Sequence, residues 1–126
     1  MTVIALPSKG NGGLNEDINK RFGKCESVTL VSLKNKDIDA VETFPIQSNE
    51  VIGNMGTYVA SLVNNKNASI ALVRFIGSKA YKFLNSQAIE IYQITEDNLK
   101  VKECVELYIQ GKLTILSQPN AHLIED

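Results

Sequence analysis

Short apolar runs rich in β-branched residues alternate along this chain with stretches of helical period, and that alternation restricts it to an α/β architecture. Thr2 to Leu6 is apolar and bounded by Pro7, as a buried strand requires. Ser27 to Leu33 and Ile38 to Phe44 read as a hairpin turned by Lys34-Asn35-Lys36-Asp37. The polar Asp39, Glu42 and Thr43 mark its second strand as an exposed edge, where charge discourages stray pairing. Ser48-Asn49-Glu50 offers a helix start, followed at helical spacing by Ile52, Met55, Val59, Leu62 and Val63. Ala68 to Val73 is the next buried strand. Gly77-Ser78 then caps a short helix with Ala80, Phe83 and Leu84 inward. Ala88 to Ile94 is a further strand, Asp97-Asn98 opens the last helix, and Gly111 closes it. Leu113 to Leu116 is a possible short extended piece.

This order predicts a three-layer α/β/α domain on a five-stranded mixed sheet, an antiparallel hairpin leading into a parallel set. At 126 residues and 44% hydrophobic, the chain can bury about 65% of its unfolded surface and needs no staples. The expected domain spans 1–116, with 117–126 a frayed polar tail that carries the single histidine, His122. A formal net charge of −1 gives no global field to draw nucleic acid or an anionic membrane. The first residues lack a basic n-region and no apolar run nears the roughly 20 residues that span a bilayer, so a cytoplasmic chain is expected.

Against that mild overall acidity, residues 8–25 are locally basic. Lys9, Lys20, Arg21 and Lys24 face only Glu16 and Asp17, and the segment runs from Ser8-Lys9-Gly10-Asn11-Gly12-Gly13 to Arg21-Phe22-Gly23-Lys24-Cys25. Cations, a glycine that exposes backbone and a thiol within one short run suit an anionic, sulfur-rich ligand; a soluble surface loop is the plainer reading. A long connection without a periodic element is itself a mark of function. Arg74, Lys79 and Lys82 make a second basic stretch around the Gly77-Ser78 helix start, which reads either as another anion-binding wall or as a solvated helix face. In an open sheet, the loop after Leu6 and the turn after Val73 leave at the same end, so the two stretches can share a cleft.

The two cysteines follow neither a zinc nor a disulfide spacing. Cys104 shares a helical stripe with Val101, Val105 and Tyr108 and reads as a small core residue. Cys25 lies beside Arg21 and Lys24, where positive charge favours the thiolate. Gly53 and Gly56 interrupt a helix start, which calls either for close packing or for a ligand against backbone N–H groups.

Taken in order, Ile4-Ala5-Leu6-Pro7-Ser8, Arg21-Phe22-Gly23-Lys24-Cys25, Ile76-Gly77-Ser78-Lys79-Ala80 and Glu106-Leu107-Tyr108 before Gly111-Lys112-Leu113 resemble the dinitrogenase iron-molybdenum cofactor biosynthesis family of the NifX/NafY type. The resemblance implies a ribonuclease H-like fold and a non-enzymatic carrier of an anionic iron-sulfur or iron-molybdenum-sulfur cluster, exchanging it with cofactor-assembly proteins. Carried over by position, it makes Arg21, Gly23, Lys24 and Cys25 one wall of a cluster site and Gly77, Ser78 and Lys79 another, with Cys25 the soft metal donor. The chain departs at Arg74-Phe75, where relatives commonly carry a glycine pair; Arg74 adds a positive charge there. A regulatory or chaperone-like interaction domain that has lost the cluster is the alternative, with Arg74-Phe75 in a protein contact. Nuclease chemistry on such a fold needs clustered carboxylates at strand ends, and neither Thr2 to Pro7 nor Ala68 to Ile76 contains one.

Overall fold

The computed structural model describes residues 1–47 and 54–124. Strands β1 (Thr2–Ser8), β2 (Ser27–Lys34) and β3 (Asp37–Pro45) come first, then α1 (Met55–Asn65), β4 (Ile70–Val73), α2 (Ser78–Ser86), β5 (Glu90–Gln93), α3 (Val101–Ile109) and β6 (Thr114–Ile115). They form one mixed sheet of order β3-β2-β1-β4-β5-β6. β1, β4 and β5 run parallel, while β2, β3 and β6 are antiparallel to their neighbours. The expected five strands are therefore six. Gly111, at φ +70°, ends α3 in the left-handed region, and the chain turns back so that Thr114 and Ile115 pair with Gln93 and Tyr92. Two residues are too short a run to show a period.

Strand alternation divides the core between the two faces. Ala5, Val28, Leu30, Ala71, Val73 and Ile91 pack beneath Val59, Ala60 and Val63 of α1 and Ala80, Tyr81 and Leu84 of α2. Ile4, Leu6, Val31, Leu33, Ile70 and Leu72 pack against Val101, Cys104 and Val105 of α3. Helices thus cover both faces, in three layers. β3 is the exposed edge that its acidic residues implied.

Helix starts differ from the expectation at two places. Ser48-Asn49-Glu50, Ile52 and Gly53 lie outside the described residues, and α1 is capped by Asn54, whose Oδ1 accepts from Thr57 N–H at 3.1 Å. α3 begins at Val101 rather than beside Asp97-Asn98, because Asn98 takes φ +61° and Glu103 reaches back to accept from Lys100 N–H at 2.9 Å.

The long basic loop is pinned along its length. The Ser8 hydroxyl lies 2.7 Å from Ser27 Oγ and 2.8 Å from Thr29 Oγ1, and Gly13 N–H donates to Thr29 Oγ1 at 3.0 Å. Gly12 sits at φ +77° directly over these hydroxyls; a Cβ there would stand 2.7 Å from Thr29 Oγ1, so only glycine lets the loop settle. Bridges Ser8–Ile18, Asp17–Lys100 and Arg21–Phe75 continue the anchoring.

Asn120 to Ile124 lie within the segment expected to fray. Asn120 is 3% exposed, and a single 3-10 turn, Ala121–Leu123, follows it. Its amide side chain finds partners on the β4–α2 connection, which no local pattern of the polar sequence reveals.

Candidate functional site

Phe22 N–H donates to Phe75 C=O at 3.1 Å and Phe75 N–H to Lys20 C=O at 3.2 Å, so the end of the basic loop runs parallel to the chain leaving β4. This pairing brings the two basic stretches together. Asn19 Oδ1 supports the bend by accepting from Arg21 N–H at 3.0 Å. Immediately beyond, Phe22–Lys24 makes a 3-10 turn whose Phe22 ring is buried in the α1/α2 layer.

A cleft of about 460 Å³ opens between these segments. Arg21, Phe22, Gly23 and Lys24 form one wall, Gly77, Ser78, Lys79 and Ala80 a second, and Asn54, Met55 and Gly56 at the start of α1 a third; Phe75, Ala121 and Ile124 complete it. Among the described residues, no carboxylate lines it. Gly77, the residue before α2, has no side chain with which to cap, so the first-turn N–H groups of α2 are left facing this space with the positive end of the helix dipole. Lys24 and Lys79 are exposed and have no ion-pair partner among the described residues. Cations, helix-start amides and an apolar side suit a bulky anion of low charge density.

Of the residues singled out from the sequence, Arg21, Gly23, Lys24, Gly77, Ser78 and Lys79 are brought together here. Cys25 and Arg74 are not among the lining residues. Cys25 is 4% exposed and belongs to the α1/α2 core; it borders a neighbouring depression with Gly10, Asn11 and Glu26. The expected thiolate is corrected as well. Desolvation pushes the Cys25 thiol up to about 12, outweighing a backbone hydrogen bond that acts the other way. Arg74 follows the strand alternation of Ile70 and Leu72 onto the α3 face. There it is 9% exposed, pairs with Asp97 at 2.8 Å through Nη2, and lies 5.1 Å from the Phe75 ring centroid. A side chain so enclosed cannot supply the protein contact considered for Arg74-Phe75; Phe75 alone reaches the cleft. Cys104 is buried as expected, its thiol likewise raised to about 12 by desolvation.

Sequence reasoning missed Asn54, Met55, Phe75, Ala121 and Ile124 as lining residues. Gly56 carried a signal, since a glycine at a helix start asks for a close neighbour. That neighbour is backbone, as a Cβ on Gly23 would stand 3.3 Å from Gly56 Cα. Among the described residues no three His, Cys, Asp or Glu side chains gather in a way that could hold a metal ion, and no helix is long and apolar enough to cross a membrane.

Comparison with known proteins adds a lineage to this geometry. The sequence profile of the family described as "Dinitrogenase iron-molybdenum cofactor" matches residues 1–111. An uncharacterised protein of Methanocaldococcus jannaschii is 30% identical over 110 residues, covering 87% of each chain. Among solved structures, the apo orange protein of Desulfovibrio gigas superposes with a TM-score of 0.81 at 24% identity, over 95% of this chain and 97% of its own. A candidate dinitrogenase from Methanocaldococcus jannaschii gives 0.71 at 19% identity, over 93% and 96%. These structural likenesses concern the fold.

Proposed function

This chain belongs to the dinitrogenase iron-molybdenum cofactor family, and from its cleft we propose that it is a carrier, not an enzyme, that holds an anionic metal–sulfur cluster and passes it on. The observation that carries this reading is the joint presence of Lys24, Lys79 and the uncapped α2 start around one space that no carboxylate of the described residues lines. Arg21 lines the same wall. A cluster of several sulfides spreads its charge over a large polarisable surface, which the apolar sides of Met55, Phe75 and Ile124 accommodate while the cations and N–H groups balance the charge.

Holding the cargo by charge and backbone donors rather than by several thiolates makes it transferable. Gly77, Ser78 and Gly23 contribute backbone and little bulk, so the cluster can approach the α2 amides closely. Cys25 would join as a ligand only after leaving its core position, and in this reading it is not required. The cluster is an iron-sulfur or iron-molybdenum-sulfur species, delivered and collected by cofactor-assembly proteins in the cytoplasm. The two unpaired cysteines fit a reducing compartment. The strand order and the helices on both faces support the ribonuclease H-like assignment that the family implies.

Anaerobic titration with tetrathiomolybdate tests the reading, followed by desalting and metal analysis. Protein-bound molybdenum with a shifted visible absorption is expected. Recovery of metal-free protein, both from the titration and from anaerobic purification, would refute it.

A further inference from the structure

We propose that residues Asn120 to Ile124 form a detachable wall of the cleft, latched by the Asn120 side chain, that governs how long a ligand is retained. The proposal deepens the carrier reading and rests on it for the nature of the ligand, though not for the latch itself. The family match ends at residue 111, so this wall lies outside the matched range.

The attachment is concentrated in one residue. Asn120 Oδ1 accepts from Ile76 N–H at 2.9 Å, and Asn120 Nδ2 donates to Arg74 C=O at 2.8 Å. The backbone N–H groups of Asn120 and Ala121 both donate to Ile76 C=O at 3.1 Å. One side chain and two amides thus complete the chain leaving β4 as an added strand would. The other anchor is Leu116, whose N–H donates to Ile91 C=O at 2.8 Å and whose C=O accepts from Tyr81 Oη at 2.9 Å. Between the anchors, Ser117, Gln118 and Pro119 make no hydrogen bond to another described residue, which leaves a joint about which the segment can swing.

What the latch holds in place is the apolar side of the cleft, Ala121 and Ile124, with Ala121 tied to Ile76 just before the start of α2. Detachment lets water reach Ile76 N–H and Arg74 C=O, so these groups exchange a protein partner for a solvent one and opening costs far less than global unfolding. With the wall away, a bound anion loses its apolar flank and gains a path out, while Lys24, Lys79 and the α2 amides stay where they are.

The test uses the full chain and two variants, Asn120→Ala and Ile124→Ala. Amide hydrogen exchange at Ile76 and Ala121 reports the latch; tetrathiomolybdate release, followed by absorbance under a scavenger, reports retention. Asn120→Ala is expected to speed both exchange at these amides and release by about ten- to hundredfold, with exchange in the sheet centre unchanged. Ile124→Ala trims the wall without touching the latch, so exchange stays as in the parent while release quickens by only about threefold. Should Asn120→Ala fold poorly, Asn120→Gln keeps a neutral amide acceptor and donor on a longer stem and is expected to fall between. Unchanged exchange at Ile76 and Ala121 overturns the latch. Unchanged release from a parent that does bind tetrathiomolybdate overturns the retention role and spares the carrier reading. Failure of the parent to bind overturns the carrier reading together with the retention role, and the exchange arm still decides the latch.

Discussion

Gly23 and Gly56 meet backbone to backbone: a Cβ on Gly23 would stand 3.3 Å from Gly56 Cα and 3.4 Å from Gly56 N. The 3-10 turn of the basic loop and the first turn of α1 are therefore packed closely enough that a side chain on Gly23 would press on backbone, and two walls of the cleft share one seam. Gly23→Ala puts a methyl against backbone that cannot swing aside. The variant is expected to lose about 1–3 kcal/mol of stability, read as a lower denaturant midpoint at constant slope, and to bind tetrathiomolybdate more weakly because the seam is forced open.

Charge in the cleft is separable from stability. Lys24→Glu and Lys79→Glu each place a carboxylate in a space that no described residue lines with one, on side chains exposed enough to leave packing intact. Each is expected to weaken anion binding by about tenfold or more while shifting stability by less than about 0.5 kcal/mol. Isothermal titration beside thermal melts checks both halves. Weakening should shrink at high salt, since exposed charges are screened.

Arg74 carries a different consequence. Its Nε and Nη1 are buried without a hydrogen-bond partner among the described residues, so Asp97, itself 70% exposed, is the one carboxylate paired with it there. Asp97→Ala is expected to destabilise by about 1–2 kcal/mol, the solvent around Asp97 keeping the loss below that of a fully buried pair. Arg74→Met in the same background should recover most of it, because the uncompensated charge goes with it. A double-mutant cycle from urea melts measures the coupling.

Both thiols make the fold sensitive to alkali. Cys25 and Cys104 rise from an ordinary 9.0 to about 12 in the folded chain, chiefly by desolvation. Above pH 9 the unfolded chain gives up protons that the folded one keeps, so the unfolded state binds fewer and stability falls with rising pH. The contribution is whole below pH 9 and is lost as pH approaches 12. Melting temperatures across that window should drop for the parent and less for Cys104→Ala measured against its own value at pH 8. Iodoacetamide at pH 8 is expected to label the native protein far more slowly than the denatured one.

Much of the architecture was legible because it is written in local periods. The apolar runs Thr2 to Leu6 and Ala68 to Val73, the Asn35 turn of the hairpin and the Gly77-Ser78 helix start are each decided within a few residues, and the structure has them where expected. Lys24 and Lys79 could be assigned to one rim because parallel strands deliver their outgoing loops to the same end. Leu113 to Leu116 was legible only as a short extended piece and not as a sixth strand, because two residues show no period, and the true start of α3 escaped notice because Asn98 takes a left-handed turn that its sequence permits but does not require.

The amino-acid sequence by itself determined the succession of strands and helices, the two apolar faces of the sheet and the placing of positive charge at loop ends, since these follow from the spacing of side chains along a strand or helix. Only the tertiary structure decided which of those charges face the cleft. Arg74 went to the α3 layer, Cys25 into the core, and Asn120 onto the backbone of Ile76, because each outcome depends on which distant segment arrives to pair with the chain there, and no local pattern encodes that meeting.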